Sequence, residues 1–237
     1  MKVLKRKADI VVARRKLVAM GVSAIDSPTA SIMRRLGFPS RLSVGDIGKS
    51  WDVLQTINFV QQHIRKDEPI LDMGAFASEV IVALHKLGYQ DLTGADLDPR
   101  VKDMPHHAQI KYEVCDFMGT GFSDESFAAI TSISVIEHGY NGASLFKEVA
   151  RVLRPGGYFT ASFDYWQSKV ETGGIKFFNM SWIIFSEQDI HDLIETAGKF
   201  DLHPVSVYDF AGAEKPIRCA GKDYTFGWIV LQKGVAS

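Results

Sequence analysis

Between residues 69 and 163, short apolar runs alternate with stretches of helical spacing. No other feature of the sequence constrains the fold as much. Pro69-Ile70-Leu71-Asp72-Met73 ends at Gly74, and Ser78–Leu87 follows as a helix stopped by Gly88. Asp91–Leu97 reads as a second strand, closed by Asp98-Pro99. Ile110–Val114 is a third, with Asp116 just beyond it. Phe127–Val135 contains no charged residue, as expected of a strand covered on both faces. Ser144–Leu153 is then a helix, Pro155-Gly156-Gly157 a turn and Tyr158–Phe163 a fifth strand. Strands joined through helices pair in parallel, so the pattern predicts a doubly wound α/β fold with helices on both faces of a mainly parallel sheet. Downstream, Ser186–Ala197 is a helix capped by Ser186 with Asp189 three residues on. Val205–Tyr208 and Tyr224–Leu231 are the final strands. In such a sheet, ligands bind beyond the carboxyl ends of the strands.

Composition supports one globular domain with an appendage. The chain has 237 residues, 46% hydrophobic and 23% charged, which excludes disordered and fibrous classes. Cys115 and Cys219 stand far apart without CxxC spacing, which excludes a disulfide framework and a thiolate zinc site and suits a reducing, cytoplasmic location. Charge is unevenly spread. Residues 1–40 hold nine Lys/Arg against Asp9 and Asp26, whereas the rest of the chain carries 26 acidic against 18 basic side chains. An acidic body repels phosphates, so a nucleic-acid partner is not expected.

Ser27-Pro28, Gly37-Phe38-Pro39 and Gly45 break up the stretch before residue 49. Residues 1–48 therefore read as a basic accessory segment and 49–237 as the main domain. Segment 2–20 has the composition of a basic helix. It docks either on an anionic membrane or partner protein, or simply on the body of the chain. No apolar run is long enough to span a bilayer. Ser50 precedes Trp51–Ile64, a run of helical spacing that it is placed to cap.

Acids and a glycine stand at successive strand ends: Asp72 and Gly74 at the first, Asp96 at the second, Asp116 at the third and Glu137-His138 after the fourth. Five segments carry a resemblance to a known family. They are Leu71-Asp72-Met73-Gly74, Thr93-Gly94-Ala95-Asp96-Leu97-Asp98, Cys115-Asp116-Phe117, Ser134-Val135-Ile136-Glu137-His138 and Arg151-Val152-Leu153-Arg154-Pro155-Gly156-Gly157. Over about residues 50–235 the chain resembles the class I S-adenosylmethionine-dependent methyltransferases, especially the type 11 group. That resemblance implies a Rossmann-like sheet of seven strands with the last antiparallel. It also implies S-adenosylmethionine as cofactor and S-adenosylhomocysteine as product. Gly74, Ala75 and Phe76 would border the methionine part of the cofactor, with Asp72 near its ammonium. Asp96 would meet the ribose, Leu97 the adenine face, and Asp116 with the Phe117 amide the adenine edge. Ser134 would line the same pocket. In one respect the chain departs from the family: its second and third motif glycines fall on Phe76 and Ser78. A nicotinamide-binding reading fits worse, because Gly74-Ala75-Phe76-Ala77-Ser78-Glu79 lacks the required glycines.

For methyl transfer, the expected base is His138, oriented by Glu137, with Asp164 as a second candidate. No metal site is expected, since Ser134 stands where related metal-using enzymes carry a third acid. Residues 164–185 hold Asp164, Tyr165, Trp166, Phe177, Phe178 and Trp182, a set suited to a ring-shaped acceptor such as a sugar. The chain also resembles bacterial methyltransferases of surface polysaccharide synthesis, so O-methylation of a sugar or other small-molecule hydroxyl is the expected activity. N-, C- or aromatic-acceptor methylation and a non-catalytic partner protein of the same fold stay open.

Overall fold

The computed structural model describes residues 1–25 and 44–235. The breaks at Ser27-Pro28 and Gly37-Phe38-Pro39 lie outside the described residues. Strands β1 (Lys2–Val3), β2 (Ile70–Met73), β3 (Leu92–Asp96), β4 (Lys111–Val114), β5 (Phe127–Ile133) and β6 (Leu153–Tyr165) come first. The hairpin β7 (Lys176–Phe177)–β8 (Met180–Ser181), then β9 (Leu202–Pro204), β10 (Ile217–Cys219) and β11 (Lys222–Lys233) complete the set. The helices are α1 (Lys7–Ala19), α2 (Ser50–His63), α3 (Glu79–Lys86), α4 (Gly142–Val152) and α5 (Glu187–Gly198).

The sheet runs β1-β11-β6-β5-β2-β3-β4, with β9 and β10 also on β11. Every pair from β6 to β4 is parallel, and β11 is antiparallel to β6. This is the doubly wound, mainly parallel sheet that the pattern predicts, with the antiparallel last strand that the family resemblance implies. Successive side chains face opposite ways, so Ile70, Trp228 and Val230 pack with α1, α2 and α3. Leu71, Ile229 and Leu231 pack with α4 and α5. Two covered faces explain why β5 lacks charge.

Four local expectations are corrected. The final strands include β9 at Leu202–Pro204, not Val205–Tyr208. Leu202 is fully buried, whereas Val207 is 91% exposed, so the alternation of valines there marks no core face. Ser50 is the first residue of α2, not its cap. Its hydroxyl donates to the Ile47 carbonyl and accepts from Arg14, while Asp46 caps the preceding 3₁₀ turn. Pro155-Gly156-Gly157 forms a bulge within β6: pairing jumps from Phe127–Leu153 to Ala129–Tyr158. A Cβ on Gly157 would lie 2.9 Å from the Arg154 carbonyl oxygen and 3.0 Å from that of Ala128. Finally, β1 joins the sheet edge, Lys2 facing Trp228 across the pair, in a segment with no strand signal. The Ser186 capping box is present as expected. Among the described residues, no helix is long and apolar enough to cross a membrane.

Candidate active site

A cleft of about 710 Å³ opens at the carboxyl ends of β2, β3 and β5. Its first wall is the loop after β2. The Gly74 and Ala75 N–H groups donate to the Ala95 carbonyl at 2.8 and 3.0 Å, folding the chain back over β3. Gly74 has φ +75°, and a Cβ there would lie 2.2 Å from Val135 Cγ2. Gly74→Ala should therefore destabilise the protein by about 2 kcal/mol through backbone strain alone, read as a lower urea midpoint at unchanged m-value. An unchanged midpoint would remove the close-approach argument.

Asp96 organises this wall. One carboxylate oxygen accepts from the Phe76 N–H at 2.9 Å and the other from the Asp98 N–H at 2.8 Å. Each oxygen has a second lone pair, so the carboxylate can still accept from a ligand in the cleft. Phe76, the departure from the glycine motif, lines the cleft with the Arg100 guanidinium 4.4 Å from its ring centre, and Arg100 pairs with Asp98. Its side chain thus has a cation–π partner of its own. Leu97 is 44% exposed on the cleft wall, and Phe117 is buried beside it. Asp116 is exposed, accepts from the Met118 N–H and does not line the cleft. Ala75 and Asp72 also lie outside the lining. Asp72 is buried, accepts from Thr131 Oγ1 at 2.6 Å, and burial pushes its carboxyl up to about 6.

The other end of the cleft is built after β5. Ser134 lines it in a left-handed conformation (φ +51°), its N–H donating to the Ser162 carbonyl. Glu137 and His138 follow. Burial, then the nearby Asp164 charge, pushes the Glu137 carboxyl well up. His138 is lowered to about 4 by burial and by the Lys49 charge, so its imidazole is neutral at pH 7. Phe177 and Phe178 stand edge-on to its ring at 5.8 and 5.5 Å. They belong to the β7–β8 hairpin, and with Trp182 they line this end, whereas Tyr165 and Trp166 of the 164–185 connection do not line the cleft. Asp164 accepts from Trp182 Nε1 at 2.7 Å and from the Tyr224 hydroxyl, and burial raises it to about 6.

The sequence reading missed two neighbours. Asp52 on α2 is fully buried, accepts from Ser162 Oγ at 2.8 Å and is pushed up to about 8 by burial. Lys49 lines the cleft and its charge tempers Asp52, Glu137 and Asp164. A carboxylate set among Trp51, Val53 and Leu54 was the available signal for Asp52.

Among the described residues, six buried side-chain polar atoms lack a partner. They are Asp52 Oδ1, Asp72 Oδ2, Ser132 Oγ, Ser134 Oγ, Glu137 Oε2 and His138 Nδ1. All six belong to β2, to β5 and the turn after it, or to the first turn of α2. Buried polar groups are otherwise paired, so this concentration marks a place for a ligand. No three His, Cys, Asp or Glu side chains among the described residues are grouped to hold a metal ion.

Residues 71–161 match the family model described as "Methyltransferase domain". Over those residues the chain is similar to a methyltransferase domain. The sterol 24-C-methyltransferase erg-4 of Neurospora crassa is 31% identical over 104 residues, which is 40% of this chain and 27% of that relative. The chain thus matches about a quarter of that relative's length. Among solved structures, the geranyl diphosphate C-methyltransferase of Streptomyces coelicolor superposes with TM-score 0.56 at 15% identity. That likeness covers 82% of this chain and 88% of the other. The Haemonchus contortus phosphoethanolamine N-methyltransferase 2 gives TM-score 0.56 at 17% identity, covering 78% and 53%. At such identities the shared property is the fold. The named acceptors differ in kind, so the methyltransferase domain alone does not set the acceptor.

Proposed function

We propose that the chain transfers a methyl group from S-adenosylmethionine to a hydroxyl of a small molecule, a sugar or another ring-shaped alcohol. The observation that carries this reading is that three of the unpartnered buried polar atoms, on Ser134, Glu137 and His138, belong to residues lining one end of a cleft. The opposite wall of that cleft is formed by the loop after β2 and by Asp96. The cofactor fits these residues. The backbone at Gly74 leaves no room for a side chain, the Asp96 carboxylate has free lone pairs for two ribose hydroxyls, and Phe76 is held by Arg100. Ser78 caps α3, whose first N–H groups suit a carboxylate. Leu97 and Phe117 offer apolar faces for the adenine. Asp116 lies outside the cleft lining, so the Phe117 amide carries more of that role.

S-adenosylmethionine supplies a methyl on a cationic sulfur, already a good electrophile. The chain's own task is to align the acceptor, exclude water and accept one proton. His138 is suited to the last: its imidazole is neutral at pH 7, and Nδ1 is buried without a hydrogen-bond partner. Burial raises the Glu137 carboxyl, so it holds its proton to higher pH than an ordinary carboxylic acid and spares the acceptor a second buried charge over that range. Aromatic walls from Phe177, Trp182 and Tyr224 cover the ring. Residues 1–48 act as an accessory segment in this reading. Arg15 and Lys16 are exposed on α1 for docking on a membrane or protein, while Lys5 is paired with Asp209.

A second reading, methylation at carbon or nitrogen, is favoured by the same aromatic lining. Incubation with isotopically labelled S-adenosylmethionine and a panel of sugars, phenols, sterols and amines separates the two by the bond formed. The hydroxyl reading predicts a methyl ether. It also predicts that His138→Ala loses about 100-fold in kcat with cofactor affinity within threefold. Full turnover by that variant removes His138 as the base. No heat on titration with millimolar S-adenosylhomocysteine would sink the enzyme reading and leave a non-catalytic partner protein.

A further inference from the structure

The most buried arginine among the described residues of the N-terminal segment is not on a docking face. Arg14 projects from α1 into the junction of α1, α2 and α3, with 10% of its side chain exposed. Its two terminal nitrogens donate to both oxygens of Glu79 at 2.7 and 2.8 Å. One of them also donates to Ser23 Oγ at 2.9 Å, and Nε donates to Ser50 Oγ at 3.0 Å. Glu79 is 3% exposed, and one of its oxygens takes a further bond from the Ala24 N–H at 2.9 Å.

The partners of Arg14 stand directly behind the cleft. Glu79 is the first residue of α3 and follows the loop 74–78, which supplies Gly74 and Phe76 to the cleft. Ser50 follows Lys49, which lines the opposite end near Glu137 and Asp164. The Gly45 N–H, from the same N-terminal segment, donates to the Ala77 carbonyl at 2.8 Å. Ala77 itself holds a left-handed conformation with φ +61°. A strained loop of this kind keeps its shape only when its surroundings over-determine it. Arg14 does not line the cleft, yet it reaches one wall through Glu79, three residues after Phe76, and the other through Ser50, next to Lys49.

We infer that Arg14 is a positioning residue for the cofactor, fixing the loop 74–78 and the start of α2 through Glu79 and Ser50. This inference rests on the methyltransferase reading. The side chain has to be arginine. A planar fork with five N–H donors satisfies a carboxylate and two hydroxyls together, whereas a lysine ammonium on a longer stem cannot match that geometry. The effect falls on one part of the ligand. Loop 74–78 borders the amino-acid end, while Asp96, Leu97 and Phe117 serve the nucleoside, so loss of Arg14 weakens binding of the amino-acid portion.

The test is calorimetric titration of Arg14→Met with S-adenosylhomocysteine and with 5′-methylthioadenosine, which lacks the amino-acid end. It is run at a temperature where near-UV circular dichroism shows the variant folded. The expected result is at least a tenfold loss for S-adenosylhomocysteine and a change within twofold for methylthioadenosine. General loosening would weaken both alike. Arg14→Lys, which keeps the charge and spares the fold if the methionine variant does not, should lose three- to fivefold on S-adenosylhomocysteine alone. Arg15→Met, on the exposed face of α1, should change neither. Equal losses for both ligands, or S-adenosylhomocysteine affinity within twofold of the parent in both Arg14 variants, overturns the inference. If the parent binds neither ligand, the methyltransferase reading itself fails and takes this inference with it.

Discussion

Asp96→Ala should abolish measurable cofactor binding, weakening S-adenosylhomocysteine by 100-fold or more in a calorimetric titration. Two effects add. In the proposed site the carboxylate accepts from both ribose hydroxyls, each bond to a charged group contributing about 1.5–3 kcal/mol. The same oxygens hold the Phe76 and Asp98 N–H groups, so their removal also frees the loop that carries Gly74 and Phe76. Asp96→Asn separates the contributions, because its amide oxygen still satisfies one backbone donor. It should lose less than alanine while falling well short of the parent. Unchanged affinity in Asp96→Ala would refute the ribose assignment and move the cofactor elsewhere in the cleft.

The second large effect concerns stability. Asp52 is fully buried and its folded-state pKa is raised from 3.8 to about 8. Below pH 4 the carboxyl is protonated in both states and burial costs nothing through titration. Above that the unfolded chain ionises while the folded one keeps its proton. Stability then falls with rising pH by up to about 1.4 kcal/mol per unit until pH 8. Asp52→Asn removes this dependence, and Ser162 Oγ can still donate to its amide oxygen. The variant should exceed the parent at pH 8 by on the order of 3–5 kcal/mol, the gap shrinking steadily towards pH 5. Asp72 and Asp164, raised to about 6, act in the same direction but only up to that pH. His138 acts oppositely. Its pKa is lowered to about 4, so the stability of its neutral form is lost as pH falls from its ordinary 6.5. Glu137, whose carboxyl is also raised, and the Met1 ammonium, lowered to about 6, add their own pH dependence, so Asp52 is isolated by the difference between parent and variant across pH 6 to 8. Urea melts at both ends that give parallel curves for parent and variant would show that Asp52 is not the buried acid responsible.

The strands of the parallel core were readable because periodicity and strand ends are local properties. β2, β3, β4 and β5 lie within one or two residues of their expected bounds. Failures came where a tertiary partner overrides the local pattern. The two-residue β1 exists only because β11 offers an edge. The valines at 205 and 207 alternate like a strand but have nothing to pack against. Phe76 shows the same division at the site. The sequence shows only that Phe76 replaces a motif glycine, whereas the Arg100 guanidinium over its ring is a tertiary contact. Asp52 and Lys49 were missed because they lie outside the strand-end motifs and meet Glu137, His138 and Asp164 only when α2 folds across β5 and β6.

The sequence by itself determined that this chain forms parallel βα units, with Asp72, Gly74, Asp96 and His138 at successive strand ends. Apolar spacing and turn chemistry act over a few residues and need no partner to be read. Only the tertiary structure decided which acids are buried, which polar atoms are left unpaired, and that Arg14 of the basic segment braces the cleft. Those properties depend on desolvation and on contacts between segments as far as 110 residues apart, and no local pattern encodes them.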